Sequence, residues 1–217
     1  MIPAGSPGDP QPDPFPPGEF DAWAETYDQD VRDDGFPFTG YAAVLDAVVE
    51  LCGAQAGEHV LDLGAGTGNL AAKFDRIGCE LWLTDFSKPM FDQARSRLPG
   101  ARFFLADLRG PWPAGLERRF HHIVSAYVFH HFELPEKVRL AHRLFEEHLM
   151  PGGTLVIADI SFPDQAALSA ARDDRWDEEP YWITGDALPA LRQAGLPAAY
   201  RQISSCAGIY WMHKADV

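Results

Sequence analysis

From His59 to Phe162 the sequence alternates short apolar runs with amphipathic stretches, and no other feature constrains the fold as strongly. "HVLDL", "ELWLTD", "ARFFLAD", "HHIVSAY" and "TLVIADISF" read as strands, and "GNLAAKFDRIG", "SKPMFDQARSRL" and "PEKVRLAHRLFEEHL" as helices. Gly78 closes the first helix, Ser87 caps the second with Pro89 in its first turn, and the third stops before "MPGG". Short, mainly apolar strands alternating with amphipathic helices imply a parallel sheet covered on both faces. Beyond this core, "GDALPALRQAGL" reads as a helix ending at Gly195. "AAYRQISS" and "GIYWMHKA" read as an antiparallel pair joined around Cys206-Ala207-Gly208. Ahead of the core, "EFDAWAETYDQDV" sets Phe20, Trp23 and Tyr27 on one helical face, where Phe20 and Trp23 read as packing residues. "YAAVLDAVVELCG" is a second helix ending at Gly53. Residues 1–18 hold seven of the 18 prolines and read as a flexible tail.

Composition excludes several function classes. A formal charge of −14 with no Lys/Arg cluster repels phosphate backbones and anionic lipid, so neither nucleic acid nor membrane is an expected partner. There is no apolar run of transmembrane length, and the N-terminus lacks the basic start and apolar core of a signal peptide. Three cysteines, Cys52, Cys79 and Cys206, suit reduced thiols in a cytoplasmic protein, and no Cys or His pair has metal-site spacing.

"DLGAGTG" follows the first strand directly, with glycines at 64, 66 and 68. Ligands of open parallel sheets bind at the carboxyl ends of strands where strand order reverses. Glycines there let the chain bend sharply and leave no Cβ between backbone and ligand, and the following helix adds free N–H groups. The dinucleotide fingerprint G-x-G-x-x-G fails at Asn69, whereas acid-x-G-x-G-x-G, with Asp62 as the acid, fits throughout.

In this loop the chain resembles the class I S-adenosylmethionine (SAM)-dependent methyltransferases, and the resemblance extends over residues 20–214. It implies a doubly wound, mostly parallel seven-stranded Rossmann-like sheet with an antiparallel last strand and an N-terminal helical cover. The implied layout is a helical cap at 19–53, a cofactor-binding core at 59–160, a substrate lid at 161–185, and a final helix and strands at 186–217. Gly64, Ala65 and Gly66 would pass against the methionine half of SAM, with Asp62 behind them facing its ammonium. Asp85, in "LWLTDFSKPM", would bind the ribose hydroxyls, and Phe86 or Met90 would pack on the adenine. Asp107 in "LADLR" would accept from the adenine amino group while Leu108 offers a backbone N–H. Ser125 and the following residues of "SAYVFHHF" resemble the small residue and apolar-His-His stretch after strand 4, and Tyr27 in "WAETYD" would close over the methionine end.

The resemblance implies transfer of a methyl group from SAM to a small molecule, leaving S-adenosylhomocysteine, by a monomer or a homodimer. His130 or His131 is the candidate base, with Tyr127 orienting the acceptor. On a helix their directions differ by about 100°, so only one is expected to reach a given pocket. His121 and His122 read as structural. Arg172, Arg175, Trp176, Tyr181 and Trp182 form either a lid or an amphipathic helix packed on the domain. Two rivals stand beside this reading: a nicotinamide-dependent oxidoreductase, disfavoured by Asn69, and a SAM-binding regulator without turnover.

Overall fold

The computed structural model describes residues 17–32, 35–171 and 179–216. Most of the proline-rich tail, and Arg172, Arg175 and Trp176 of the expected lid, lie outside the described residues. The strands are β1 (His59–Leu63), β2 (Glu80–Asp85), β3 (Arg102–Leu105), β4 (Phe120–Ala126), β5 (Leu149–Phe162), β6 (Trp182–Ile183), β7 (Ala199–Gln202) and β8 (Ala207–His213). The main sheet runs in the order β3-β2-β1-β4-β5-β8-β7, with two-residue β6 pairing off this path onto the end of β5. Strands β1 to β5 are parallel, and β8 runs antiparallel to both β5 and β7. The expected architecture is present, with β6 as an eighth strand.

Strand alternation builds the core on both faces. Val60 joins Val44, Val48 and Phe74, the last two supplied by the helices α3 (Tyr41–Cys52) and α4 (Ala71–Ile77). Leu61 and Leu63 point the other way, into Trp82, Phe120, Leu140 and Leu191, on the side of α6 (Leu134–Arg143) and α8 (Thr184–Gln193). Each fully buried Leu, Val or Phe contributes about 1.5–3 kcal/mol of transfer free energy, which is why the four buried positions of β1 hold only one polar side chain, Asp62.

Three local expectations change. The N-terminal helix is two pieces, α1 (Pro17–Trp23) and α2 (Tyr27–Asp30). The Trp23 indole N–H (2.6 Å) and the Thr26 hydroxyl (2.9 Å) both donate to the Asp30 carboxylate, and these local bonds compete with a continuous helix. The "MPGG" stretch does not lie between helix and strand but inside β5, as an irregularity where the β4 register slips between Phe120 and His122. A Cβ on Gly153 would lie 2.7 Å from the His121 carbonyl oxygen, so only glycine lets the two chains approach there. The helix after the glycine loop is short, α4 being seven residues, so its end contributes less to an anion site than the predicted eleven-residue stretch implies.

Candidate active site

Strand order reverses between β1 and β4, and the crevice there holds a cavity of about 470 Å³. Its floor is the bend after β1. Gly64, Gly66 and Gly68 all have positive φ, at 67°, 54° and 83°. A Cβ on Gly64 would sit 2.4 Å from Val128 Cγ2, whereas one on Gly66 would meet nothing within 4 Å. Gly64 therefore lets the turns after β1 and β4 touch, and Gly66 leaves bare backbone at the cavity wall. Gly68 packs instead on Leu98 and Ala94, the latter in α5 (Lys88–Arg97).

Asp85 ends β2 and lines the cavity. Its Oδ2 accepts the Gly66 N–H at 2.8 Å and its Oδ1 the Ser87 N–H at 2.8 Å, so one carboxylate ties the glycine loop to the start of α5. Burial pushes the Asp85 carboxyl up to about 6. Asp62 lies behind the loop, fully buried, with Oδ2 unpartnered among the described residues. Burial, and secondarily the Asp85 charge, push it up to about 7, while the Ala71 N–H opposes. Two coupled carboxylates held short of comfortable ionisation form a site suited to a cation.

Phe86, Met90, Asp107 and Leu108 line the same cavity. Asp107 is gripped by Arg109, whose Nε is 3.0 Å from both carboxylate oxygens and whose guanidinium also donates at 2.7 Å. That bond holds its carboxyl below the usual carboxylate range. Ala65 and Ser125 are not on the cavity wall. Ala65 donates its N–H to the Thr84 carbonyl at 2.9 Å, and the Ser125 hydroxyl is spent on the Leu63 carbonyl at 2.9 Å. Ser125 braces β4 against β1, and its small size serves that packing.

The opposite wall comes from the turn after β4. Tyr127 has φ 59°, the one non-glycine in the left-handed region among the described residues. Its hydroxyl is buried without a hydrogen-bond partner there, and its ring lies against Phe38 (5.5 Å) and Tyr41 (5.3 Å). His130 and His131 both line the cavity, which corrects the expectation that only one would. They sit in a single 3-10 turn, Phe129–His131, and the cavity wraps around this turn rather than facing one side of a long helix. Their ring centroids are 4.0 Å apart. His130 Nδ1 is 2.6 Å from Asp159 Oδ1, and His131 Nδ1 is 3.6 Å from Glu179 Oε1. Burial, then the neighbouring His130, hold His131 below the ordinary histidine range. His121 and His122 are structural, as expected: His121 Nδ1 accepts the His59 N–H at 3.0 Å, and His122 Nε2 meets Glu58 at 3.0 Å.

The N-terminal cap closes the cavity. Phe20 and Trp23, read as packing residues, line it together with Tyr27 and Phe38. Phe20 stands edge-on to both Phe86 (4.9 Å) and His131 (5.4 Å), bridging the two walls. Asp28 latches the cap to the glycine loop: it accepts from the Thr67 hydroxyl at 2.7 Å and the Asn69 amide at 3.0 Å, and it pairs with Arg97. Asn69, the residue that breaks the dinucleotide fingerprint, thus holds the latch. Of the expected lid, Tyr181 lines the cavity, but Trp182 is core, 1% exposed, its indole N–H donating to Asp159 Oδ2 at 3.0 Å. The sequence reading passed over Asp28, Arg109, Lys137 and Asp159. Asp159 had a usable signal, a lone acid inside "LVIADI", which is the pattern that marked Asp62 in "HVLDL". The others had none.

A glycine bend, a strand-end acid at Asp85 and a second acid at Asp107 around one crevice define the class I SAM-dependent methyltransferase arrangement. The methyltransferase domain family model matches residues 60–153. An uncharacterized methyltransferase of Geobacillus kaustophilus, GK2543, is 32% identical over 200 residues, covering 84% of this chain and 89% of that protein. The uncharacterized methyltransferase YrrT of Bacillus subtilis is 33% identical over 176 residues, covering 77% and 78%. Among solved structures, magnesium protoporphyrin IX methyltransferase from Synechocystis PCC 6803 with bound S-adenosylhomocysteine superposes with a TM-score of 0.71. It is 17% identical, covering 91% of this chain and 97% of that one, a likeness of fold. The chain belongs to the methyltransferase family. It is a class I enzyme that uses SAM as methyl donor.

Proposed function

We propose that this enzyme methylates a small molecule, and that the crevice between β1 and β4 is divided between the two reactants. Gly64, Gly66 and Asp62 take the methionine half of SAM, Asp85 its ribose, and Phe86, Met90, Asp107 and Leu108 its adenine. The acceptor lies toward Tyr127, His130, His131 and Tyr181. The observation that carries this reading is the cavity whose lining includes both Gly66 and Asp85 and both His130 and His131. The residues fit the donor. The Gly66 wall is open where a Cβ would stand, and the Asp62 and Asp85 carboxylates favour the sulfonium and ammonium charges.

SAM supplies a methyl group on a cationic sulfur, already a good leaving group. The protein's part is alignment, exclusion of water and, for a proton-bearing acceptor, its removal. A closed cap of aromatic side chains supports a small acceptor, and a net charge of −14 supports one that is not a nucleic acid. The test is calorimetric titration of SAM and S-adenosylhomocysteine into wild type and Asp85→Ala. Asp85→Ala should weaken binding by about 1–3 kcal/mol, roughly 5- to 150-fold in Kd. Unchanged affinity removes Asp85 from the site, and binding of NAD in place of SAM overturns the reading.

A further inference from the structure

Asp159, in the second half of β5, is wholly shielded from solvent. Its Oδ1 faces His130 Nδ1 at 2.6 Å and accepts the Ile160 N–H at 2.8 Å, while its Oδ2 accepts the Trp182 indole N–H at 3.0 Å. Burial alone would push this carboxyl up, but the His130 imidazole, and after it the Lys137 ammonium, hold it below the usual carboxylate range. Lys137 is itself buried, its Nζ on the Pro180 carbonyl and 4.8 Å from the centre of the Trp182 ring. An ionised carboxylate only accepts hydrogen bonds, so His130 must donate through Nδ1. In the neutral ring the lone pair is then on Nε2, at the far edge of an imidazole that lines the cavity. His131 Nδ1 lies 3.6 Å from the half-buried Glu179, a longer approach than the 2.6 Å between His130 and the fully buried Asp159.

We infer that Asp159 is a positioning residue that fixes His130, rather than His131, as the acceptor-side base, and that the acceptor is a phenolic hydroxyl on a small aromatic ring. This rests on the methyl-transfer reading of the cavity. A neutral amine already carries the attacking lone pair, and a carboxylate acceptor would be repelled by Glu179 and Asp85. A phenol, with an ordinary pKa of about 10, needs its proton removed as it attacks and lies within reach of an imidazole, as an aliphatic alcohol does not. Phe20, Trp23, Tyr127, Phe132 and Tyr181 around the cavity suit a flat ring. In the step itself, the acceptor oxygen forms its bond to the methyl carbon while the carbon–sulfur bond breaks, and that electron pair stays on sulfur as S-adenosylhomocysteine. The hydroxyl proton passes to His130 Nε2 and leaves to water when product departs. Among the described residues, the titratable groups in contact with His130 are Asp159 from β5, His131 on its own turn and Tyr181 from the segment before β6; Glu179 stands beyond His131, and Lys137 from α6 acts on Asp159.

Three measurements test this on the full chain. Nitrogen-detected NMR of the wild type with S-adenosylhomocysteine should show neutral His130 protonated at Nδ1; a proton on Nε2 overturns the positioning role. Release of S-adenosylhomocysteine should be supported by phenol, catechol or 2-naphthol and not by aniline or benzyl alcohol. Turnover of aniline alone, or of no phenol, overturns the acceptor class. With the best phenol, Asp159→Asn and His130→Gln should each lower kcat by about 100-fold or more, with KM within threefold, and abolish the rise of kcat with pH. Affinity for S-adenosylhomocysteine should stay within twofold in both variants, which also reports on folding. An Asp159→Asn enzyme within threefold of wild-type kcat, with the same pH profile, refutes the inference. Wild type that fails to bind SAM refutes the methyl-transfer reading itself, and calorimetry alone distinguishes that failure from the others.

Discussion

Replacing Asp62 by asparagine should stabilise the unliganded protein while weakening its hold on SAM. Asp62 is fully buried, with one oxygen unpartnered among the described residues, and its carboxyl is pushed up to about 7 from an ordinary 3.8. A carboxyl whose folded value is raised binds its proton more tightly in the folded chain, so its penalty grows as pH rises from 3.8 and is complete above 7. The full penalty is on the order of 4 kcal/mol at pH 8 and about 1–2 kcal/mol at pH 5. Asparagine removes the charge and keeps an acceptor for the Ala71 N–H, but it leaves an amide donor without a partner, a cost of about 1–3 kcal/mol. The net gain at pH 8 is then about 2 kcal/mol, or roughly 4–8 °C in Tm for a chain of this size. Scanning calorimetry at pH 8 and pH 5 reads it: the variant should melt higher at pH 8, and its advantage should shrink or reverse at pH 5. Titration with SAM at pH 8 should show weaker binding, because the cation loses a charge partner. A variant that melts below wild type at pH 8, or an advantage that grows toward acid, refutes the reasoning.

Other perturbations have distinct signatures. Wild-type affinity for SAM should tighten as pH rises from 5 to 8, by at most about tenfold per pH unit for each proton released, because ionised Asp62 and Asp85 are the binding form; a flat profile by calorimetry contradicts that. Gly64→Ala should destabilise strongly and abolish SAM binding, since its Cβ would overlap Val128, while Gly66→Ala should cost only about 1 kcal/mol of left-handed strain in a melt. Even so, Gly66→Ala should weaken SAM measurably in the same titration, because its methyl enters the cavity. Asp28→Ala removes the partner of Thr67, Asn69 and Arg97 and should speed dissociation of S-adenosylhomocysteine in stopped flow, with little change in Tm.

The alternation of apolar strands and amphipathic helices made the sheet readable, because burial on both faces leaves a strand such as "HVLDL" almost no polar positions. The floor of the site was readable for a related reason. Positive φ and close approach at Gly64 require glycine, and a carboxylate at the end of β2 is conspicuous in a strand buried from Leu81 onward. What escaped depends on residues far apart in sequence. Nothing local to Trp182 says that its indole will meet Asp159, 23 positions away, so the sequence left lid and packed helix open for a residue that is core. Asn69 looked like a missing glycine because its partner, Asp28, is 41 positions upstream. The two histidines were judged on an ideal helix, but they sit in a 3-10 turn whose preceding residue, Val128, lies against Gly64, a contact 64 positions apart that no periodicity encodes.

The clasp between Asp28 and the glycine loop has a kinetic corollary. In the proposed pose the spent nucleoside lies beneath Phe20, Trp23 and Tyr27, so its release should require the fastening to Thr67, Asn69 and Arg97 to open. The contact that must open would then sit some forty residues upstream of the loop it guards.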